Sequence, residues 1–210
     1  MVSIIIPVYN KARYLADVLD SVRNQTFKDI EIIVVDDGST DAVEEALAPY
    51  RDFIISIRQE NQGASVARNT GLSRAQGRYI CFLDADDMWM SEKIEIQLAY
   101  FSEHPDCGLV YTNGYVITEK GNDARAVLHP GSFGGYHGYV FKRLLLENFI
   151  PTSSVMIDRD RIREDQFFNP AYKASQDYDL WLRLAKQCEF GYLSRPLFRY
   201  RMTSEGITAR

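Results

Sequence analysis

The chain has 210 residues, of which 46% are hydrophobic and 25% charged, and its formal net charge is -5. This length and composition predict one globular domain, or two closely fused halves, with a sizeable core. The acidic balance and the lack of a basic stripe exclude general nucleic-acid binding, so a polyanionic substrate would need a metal ion or a few placed arginines.

The cysteines Cys81, Cys107 and Cys188 are odd in number, widely spaced and set among apolar residues. This predicts reduced, buried thiols in a cytoplasmic protein, rather than a disulfide framework or a zinc site. The sequence opens directly on a strand pattern, so we expect no signal peptide. No apolar run approaches the roughly 20 residues of a membrane helix. Peripheral docking at the inner face of a membrane stays open.

Strand and helix patterns alternate through the first hundred residues. Short β-branched apolar runs predict buried strands over 2–8, 30–35, 53–57 and 78–83. Apolar residues at helical spacing predict a helix capped by Asn10, a second capped by Thr40 or Asp41, and two more over 64–75 and 91–103. This alternation predicts a mainly parallel sheet with right-handed crossovers. In such sheets ligands bind at the carboxyl ends of the strands.

The second half of the chain is less regular. Its patterns predict a strand over 108–118, a turn at 121–123, a glycine-rich loop over 131–138, a helix over 139–147, a strand over 153–157, a helix over 176–187, and two short strands over 190–193 and 197–200. The polar tail 201–210 has little core-forming content.

An acidic cluster, Asp84, Asp86 and Asp87, directly follows the apolar run 79–83. Carboxylates gathered at a strand's end are costly unless a cation neutralises them. Oxygen ligands are those that Mg²⁺ and Mn²⁺ prefer, and a partly filled shell leaves room for substrate phosphates. The alternative is a solvated acidic turn before a helix capped by Ser91.

Five segments in this order resemble those of family 2 glycosyltransferases, which have the GT-A fold: 2–10, 34–41, 61–71, 77–87 and 176–183. The resemblance implies a single α/β domain with a Rossmann-like, mixed and mainly parallel sheet flanked by helices. Residues 1–115 would form a nucleotide-sugar donor half and 116–210 an acceptor half. It also implies inverting, metal-dependent transfer of a sugar, from a nucleotide diphosphate donor such as a UDP-sugar, to a hydroxyl of a glycan, lipid-linked or other acceptor, as in cell-surface polysaccharide synthesis.

The resemblance also implies roles for residues at the donor site. Asp37 matches a carboxylate that contacts the donor base, and Pro7 and Tyr9 would line the base pocket. For Asp37 the alternative is a helix cap beside Ser39. Arg68 matches an arginine near the donor, and its alternative is an exposed helix arginine.

The cluster matches the family's Asp-x-Asp motif, which implies that Asp86 ligates Mn²⁺ or Mg²⁺. Asp84 would hold the ribose or a metal-bound water. Asp87 either supports these two residues or caps a helix.

Asp177 matches the family's catalytic base, and Asp179 is its rival two positions later. Gln176 stands where many relatives carry Glu, and Met202 stands where they often carry a His implicated in diphosphate or metal binding. Met is a poor ligand for a hard cation. Arg201 or Arg199 could compensate by binding the diphosphate, or this loop contributes less here.

Other functional classes fit the sequence less well. A dinucleotide oxidoreductase needs a Gly-x-Gly-x-x-Gly turn after the first strand, where this chain reads Pro7-Val8-Tyr9-Asn10. A sugar-1-phosphate nucleotidyltransferase needs a glycine- and arginine-rich loop there. The remaining alternative is a nucleotide-sugar binding protein with impaired turnover, which Gln176 and Met202 favour.

Overall fold

The structure is a computed structural model that describes residues 1–121, 126–127, 135–161 and 168–203. Its strands are β1 Val2–Val8, β2 Ile30–Asp36, β3 Ile55–Arg58, β4 Tyr79–Phe82, β5 Met88–Trp89, β6 Cys107–Ile117, β7 Ala126–Val127, β8 Met156–Asp158 and β9 Glu189–Arg201. Its α-helices are α1 Leu15–Arg23, α2 Val43–Leu47, α3 Ala64–Arg74, α4 Lys93–Glu103, α5 Phe141–Leu144 and α6 Gln176–Leu184.

The described strands form one mixed sheet in the order β3-β2-β1-β4-β8-β6-β9-β5, with β7 paired to β6. Strands β1 to β4 pair in parallel, and β6 is also parallel to β9. Strand β8 is antiparallel to both β4 and β6, so it joins the parallel first half of the sheet to the second half. The predicted α/β fold with a mixed sheet flanked by helices is confirmed.

The two faces of the sheet bury separate apolar clusters. Along β1, Ile4 and Ile6 pack towards α1, α2 and α4, whereas Ile5 packs towards α3, α5 and α6. Successive side chains of a strand point to opposite faces, and a strand covered on both faces reads as a continuous apolar run. This is why the apolar runs of the sequence marked the central strands correctly.

One predicted pair of strands is a single strand. The runs 190–193 and 197–200 lie within β9, which follows β6 in parallel along its whole length. The register shifts around Asn113, which pairs with Pro196. Proline has no N–H to donate to a neighbouring strand, so the sequence predicts that a strand ends there. Because β9 pairs with β6 on both sides of this register shift, the strand continues past it.

Two predicted helix caps are absent at the described N-termini. Asn10 adopts a left-handed conformation with φ of 53°, and its Oδ1 accepts a hydrogen bond from the Thr40 N–H at 2.8 Å. Helix α2 has no side-chain cap, because the Asp41 carboxylate instead accepts the N–H of Ala12 at 2.9 Å. These polar residues join the loop after β1 to the loop after β2.

Two further boundaries differ from the prediction. Helix α4 has Glu92 rather than Ser91 at its N-cap position. The predicted strand 153–157 is shorter, since Thr152–Ser154 form a 3-10 helical turn and only Met156–Asp158 is extended. That turn faces the acidic cluster.

Some predictions lie wholly or partly outside the described residues. The turn at 121–123, the loop 131–138 and the tail 201–210 are described only at 121, 135–138 and 201–203. The cysteines are free and buried, as predicted. In the part of the chain that is described, no helix combines the length and apolar character needed to cross a bilayer.

Candidate active site

The candidate site lies at the carboxyl edge of the parallel strands. Val8 pairs with Asp36 at the ends of β1 and β2, and the Leu83 N–H donates to the Ile5 carbonyl where β4 ends. Parallel strands end at a common edge, so the loops after β1, β2 and β4 meet there. These loops carry the predicted base pocket and the acidic cluster.

The acidic cluster is a turn anchored by Asp87. The Asp87 side chain is buried, and its carboxylate accepts the Ser153 hydroxyl at 2.6 Å and the Arg201 N–H at 2.9 Å. Burial, followed by the charges of Asp84 and Asp86, raises the pKa of Asp87. The segment is therefore not a freely solvated turn. Asp87 supports the cluster from inside and caps no helix.

Asp84 and Asp86 are the partly exposed carboxylates of the turn, and each contacts a cationic side chain. Arg68 Nη2 lies 2.7 Å from Asp84 Oδ1, and Lys11 Nζ lies 3.0 Å from Asp86 Oδ2. Burial, and then the charge of Asp84, raise the pKa of Asp86, while Lys11 acts in the opposite direction. The turn therefore concentrates negative charge in a poorly solvated place.

The donor set of this turn fits a hard divalent cation. Asp84 and Asp86 offer carboxylate oxygens, the ligands that Mg²⁺ and Mn²⁺ prefer. The described residues contain no cluster of three or more metal-ligating side chains. Two carboxylates make a partial shell, and the phosphates of a bound nucleotide are the ligands that would complete it.

Arg68 is buried, which rules out the exposed helix arginine that the sequence left open. Its guanidinium lies 5.3 Å from the centroid of the Phe168 ring, and Nη2 bonds Asp84. Its Nε and Nη1 have no hydrogen-bond partner among the described residues. Buried donors without partners are rare, and each calls for an explanation such as a ligand. Arg68 is therefore suited to bind an anion beside Asp84.

Asp37 is almost fully buried and holds the loop between β3 and α3. Its carboxylate accepts the Gln59 amide at 2.7 Å and the backbone N–H groups of Gln62 and Gly63 at 3.0 and 2.8 Å. The turn-capping role falls instead to Asp36, which accepts the Ser39 N–H at 2.8 Å. Asp37 thus lies at the carboxyl edge of the parallel strands and fixes the segment that directly precedes α3.

Pro7 and Tyr9, the residues predicted to line a base pocket, lie at the end of β1. Pro7 is half-buried at the end of β1, and Tyr9 follows the strand with 48% of its surface exposed. The Asn10 N–H donates to the Ser39 hydroxyl at 3.0 Å, which fixes the chain after Tyr9. An exposed aromatic ring at this edge offers an apolar face to a planar ligand.

Asp177 lies in the first turn of α6, one residue after its start. Its Oδ2 accepts the Thr152 hydroxyl at 3.0 Å, and its Oδ1 accepts the Tyr178 N–H at 2.8 Å. Asp179 instead forms an ion pair with Arg183 at 2.8 Å on the same helix. Because Asp179 is bound to this arginine, Asp177 is the better placed of the two for a site at the sheet edge.

Arg201 is held inside the protein. The three guanidinium nitrogens donate to the carbonyls of Asp86 and Glu119 and to the carboxylate of Asp17, at 2.7 to 2.9 Å. Binding a diphosphate would require these bonds to break, so the geometry favours a structural role for Arg201 over the predicted ligand contact. The neighbouring Met202 side chain is exposed.

Sequence reasoning missed Lys11 as a site residue. It expected the segment 151–154 to influence acceptor choice, but it missed the contacts that Thr152 and Ser153 make with Asp177 and Asp87. Lys11 directly follows the loop after β1, so its position next to a predicted ligand edge was a usable signal. Thr152 and Ser153 lie about 65 residues after the acidic cluster and 25 before Asp177. No local pattern marks them, because their role arises from the pairing of β8 with β4.

Known proteins resemble this chain in sequence and in fold. The model of the glycosyl transferase family 2 matches residues 3–164. The putative teichuronic acid biosynthesis glycosyltransferase TuaG of Bacillus subtilis is 34% identical over 215 residues, covering 100% of this chain and 82% of its own. An uncharacterized glycosyltransferase of Rickettsia conorii is 35% identical over 209 residues, covering 98% of this chain but only 34% of its own length.

Solved structures share the fold. S. aureus TarS 1-349 in complex with UDP-GlcNAc has a TM-score of 0.83 at 20% identity, covering 99% of this chain and 60% of its own. The mannosyltransferase PcManGT from Pyrobaculum calidifontis, in complex with GDP-Man and Mn²⁺, has a TM-score of 0.75 at 18% identity, covering 99% and 59%. The family model spans well over half of the sequence, and we conclude that this chain is a glycosyltransferase belonging to glycosyl transferase family 2.

Proposed function

We propose that this chain transfers a sugar from a nucleotide diphosphate donor to an acceptor hydroxyl, with inversion and with Mn²⁺ or Mg²⁺. The relative TuaG is named for teichuronic acid biosynthesis, and the solved structures of TarS and PcManGT are complexes with UDP-GlcNAc and GDP-Man, respectively. We therefore place the reaction in cell-surface polysaccharide synthesis, with a UDP-sugar as the first donor to test.

One observation carries the proposal. Two adjacent residues of the turn Thr152–Ser154 form hydrogen bonds with the candidate base and with the acidic turn, the two groups that the proposed transfer reaction needs. The Thr152 hydroxyl donates to Asp177, and the Ser153 hydroxyl donates to Asp87 while accepting the Asp84 N–H at 3.1 Å. The candidate base and the acidic turn are thus separated by a single short turn.

At the donor, Arg68 and the acidic turn provide the anion-binding groups. Asp86, with Asp84, would hold the divalent cation, which when bound supplies positive charge that stabilises the departing nucleoside diphosphate. Arg68 has two buried donors with no partner in the described part of the chain, and these could bind a phosphate or ribose oxygen. Pro7 and Tyr9 would flank the base, and the Asp37 carboxylate would accept its N–H in addition to holding the loop before α3.

At the acceptor, Asp177 would take the hydroxyl proton. The acceptor oxygen forms a bond to the anomeric carbon as the bond from that carbon to the diphosphate oxygen breaks, so attack and departure lie on opposite faces of the sugar. The hydroxyl of Thr152 and the N–H of Tyr178 keep the Asp177 carboxylate in one orientation. A base fixed in this way accepts the proton without first changing its orientation.

We retain the division into a donor half, 1–115, and an acceptor half, 116–210, as part of the proposal. The boundary falls inside β6, which continues through residue 115, so the halves share one sheet. The segments 151–154 and 131–138 would shape the acceptor site. The acceptor class is a glycan, a lipid-linked sugar or another hydroxyl compound.

A thermal-shift screen tests the proposal. UDP, GDP and ADP, and the corresponding sugar nucleotides, are added with and without Mn²⁺. A specific ligand in large excess over its Kd should stabilise the protein by about 2 to 4 kcal/mol, with uridine compounds strongest and only when Mn²⁺ is present. No nucleotide-dependent shift would contradict the proposal. A shift without donor hydrolysis or transfer would favour the impaired binding protein.

A further inference from the structure

The segment 139–147 carries large apolar side chains on the outside of the protein. Tyr139, Leu145 and Leu146 are 73%, 58% and 77% exposed, whereas Val140 and Leu144 are buried in the core. Exposed apolar residues scattered singly need no explanation, but a contiguous group rimmed by polar residues marks an interaction site. We call Tyr139, Lys142, Arg143, Leu145 and Leu146 the α5 surface.

The geometry of the segment gathers these side chains. Backbone hydrogen bonds continue the helical turn from the Val140 carbonyl to the Glu147 N–H, beyond the ends of α5 itself. Residues three, four and seven apart lie on one face of a helix. Lys142, Arg143 and Leu146 therefore share the outward face and Leu145 flanks it, while the exposed Tyr139 directly precedes the helical turn.

The charge around this surface is opposite to that of the whole chain. The chain has a net charge of -5, but the segment contributes Lys142 and Arg143 against one acid, Glu147. Lys186, on the turn after α6, adds a third cation beside it, with its ammonium 5.2 Å from the Phe141 ring centroid. Basic side chains around exposed leucine and tyrosine are the pattern of a surface that binds anionic bilayers.

We propose that the α5 surface docks this protein on an anionic lipid bilayer. Leu145 and Leu146 would insert at the level of the headgroups, Tyr139 would lie at the interface, and the basic side chains would contact lipid phosphates. Anionic headgroups complement these basic side chains, whereas a symmetric dimer through the same surface would bring the basic side chains of two copies face to face, where they repel. This goes beyond the proposed function and does not depend on it.

The position of the surface has a consequence that does rest on the proposed function. Helix α5 packs on α6, and the Tyr178 hydroxyl donates to the Leu144 carbonyl. Asp177 directly precedes Tyr178. Docking through the α5 surface would bring the candidate base close to the bilayer, which suits an acceptor carried on a lipid.

Vesicle flotation of the full chain tests the docking itself. We expect binding to vesicles of phosphatidylcholine mixed with phosphatidylglycerol, weak binding to phosphatidylcholine alone, and loss of binding as salt is raised. The variant Lys142→Gln/Arg143→Gln should bind roughly tenfold or more weakly, and Leu145→Gln/Leu146→Gln should lose binding. The matched control Lys28→Gln/Arg51→Gln removes two exposed charges near the β2–β3 edge and should bind like the wild type.

The outcomes separate this proposal from others. Circular dichroism and the Mn²⁺-dependent UDP shift should be unchanged in every variant, since all replaced residues are exposed and outside the donor site. If UDP and Mn²⁺ do not raise the melting temperature of the wild type, that result would count against the proposed function only. Wild-type protein that stays with the unbound fraction, or variants that float equally well, would overturn the docking proposal. So would a dimer on light scattering that Leu145→Gln/Leu146→Gln dissociates, without vesicle binding.

Discussion

The Lys11 ammonium lies 3.0 Å from the Asp86 carboxylate, so the chain supplies its own cation to the carboxylate that we propose as a metal ligand. Both side chains are mostly buried, at 18% and 20% exposed. A divalent cation bound at Asp86 would compete with this ion pair. Lys11, which lies in the loop after β1, would therefore weaken metal binding by the loop after β4.

Asp86→Asn should remove the Mn²⁺-dependent part of UDP binding and abolish transfer, because the amide cannot supply the anionic oxygen that a hard cation requires. The protein should stay folded, since the side chain lies at the edge of the core. Calorimetric titration of UDP with and without Mn²⁺ measures the effect. The exposed Asp52→Asn serves as control, and equal Mn²⁺ dependence in both variants would refute the assignment.

Lys11→Met should have the opposite effect on the metal. Removing the competing ion pair is worth about 1 kcal/mol, so the Kd for Mn²⁺ in the presence of UDP should fall about fivefold. Electron paramagnetic resonance of free Mn²⁺ reports the affinity directly. A Kd that rises instead would mean that Lys11 binds the nucleotide rather than competing with the metal.

Asp177→Asn should leave donor binding intact and lower turnover by about two to four orders of magnitude, the usual scale for a general base. Asp179→Asn is the matched control two positions away. It weakens the ion pair with Arg183 and should affect stability more than turnover. The product's anomeric configuration, read by NMR, should be opposite to the donor's. Retention, or a near-normal rate for Asp177→Asn, would falsify the assignment.

Asp37→Asn should act on both stability and base selection. The amide replaces one of the two carboxylate oxygens by a donor, which then faces the N–H of either Gln62 or Gly63, so unfolding should become easier by about 1 to 3 kcal/mol. UDP binding should weaken more than GDP or ADP binding. Gln59→Ala is the control, because it removes one bond to the carboxylate but keeps the charge. Equal losses for all three nucleotides would make Asp37 purely structural.

Lys93 predicts a pH effect on stability away from the site. Its ammonium is fully buried, lies 4.1 Å from the Trp89 ring centroid and donates to Gln97 at 2.6 Å. Burial lowers the pKa of Lys93 from 10.5 to about 8. Between these values the unfolded chain binds more protons, so the free energy of unfolding contributed by Lys93 increases with pH.

Urea denaturation of the wild type and of Lys93→Met measures this contribution. From about pH 7.5 to about pH 9.5, the wild type should gain about 2 kcal/mol relative to the variant. Burial raises the pKa of the Cys81 thiol to about 11, while Lys93 acts in the opposite direction. The folded thiol therefore stays protonated over this pH range with or without Lys93, and its contribution nearly cancels in the difference. Parallel pH profiles would show that Lys93 is not titrating in the folded state.

The sequence by itself determined the family, the central strands and the carboxylates. Strands buried on both faces must be continuously apolar, so their runs are visible without a structure. The acidic residues at the ends of β2 and β4 follow directly from those runs. The resemblance over five ordered segments then identified Asp37, Asp84, Asp86 and Asp177 as candidates.

Tertiary structure decided which of these side chains lie close together and which already form hydrogen bonds within the protein. Local periodicity does not encode the antiparallel pairing of β8 with β4, yet that pairing brings Thr152 and Ser153 between Asp177 and the acidic turn. Burial and three hydrogen bonds give Arg201, a predicted ligand contact, a structural role. Burial also rules out the exposed position that was the alternative for Arg68, which lies beside Asp84. Hydrogen bonds between residues far apart in the chain depend on how the sheet closes, and no sequence pattern records that.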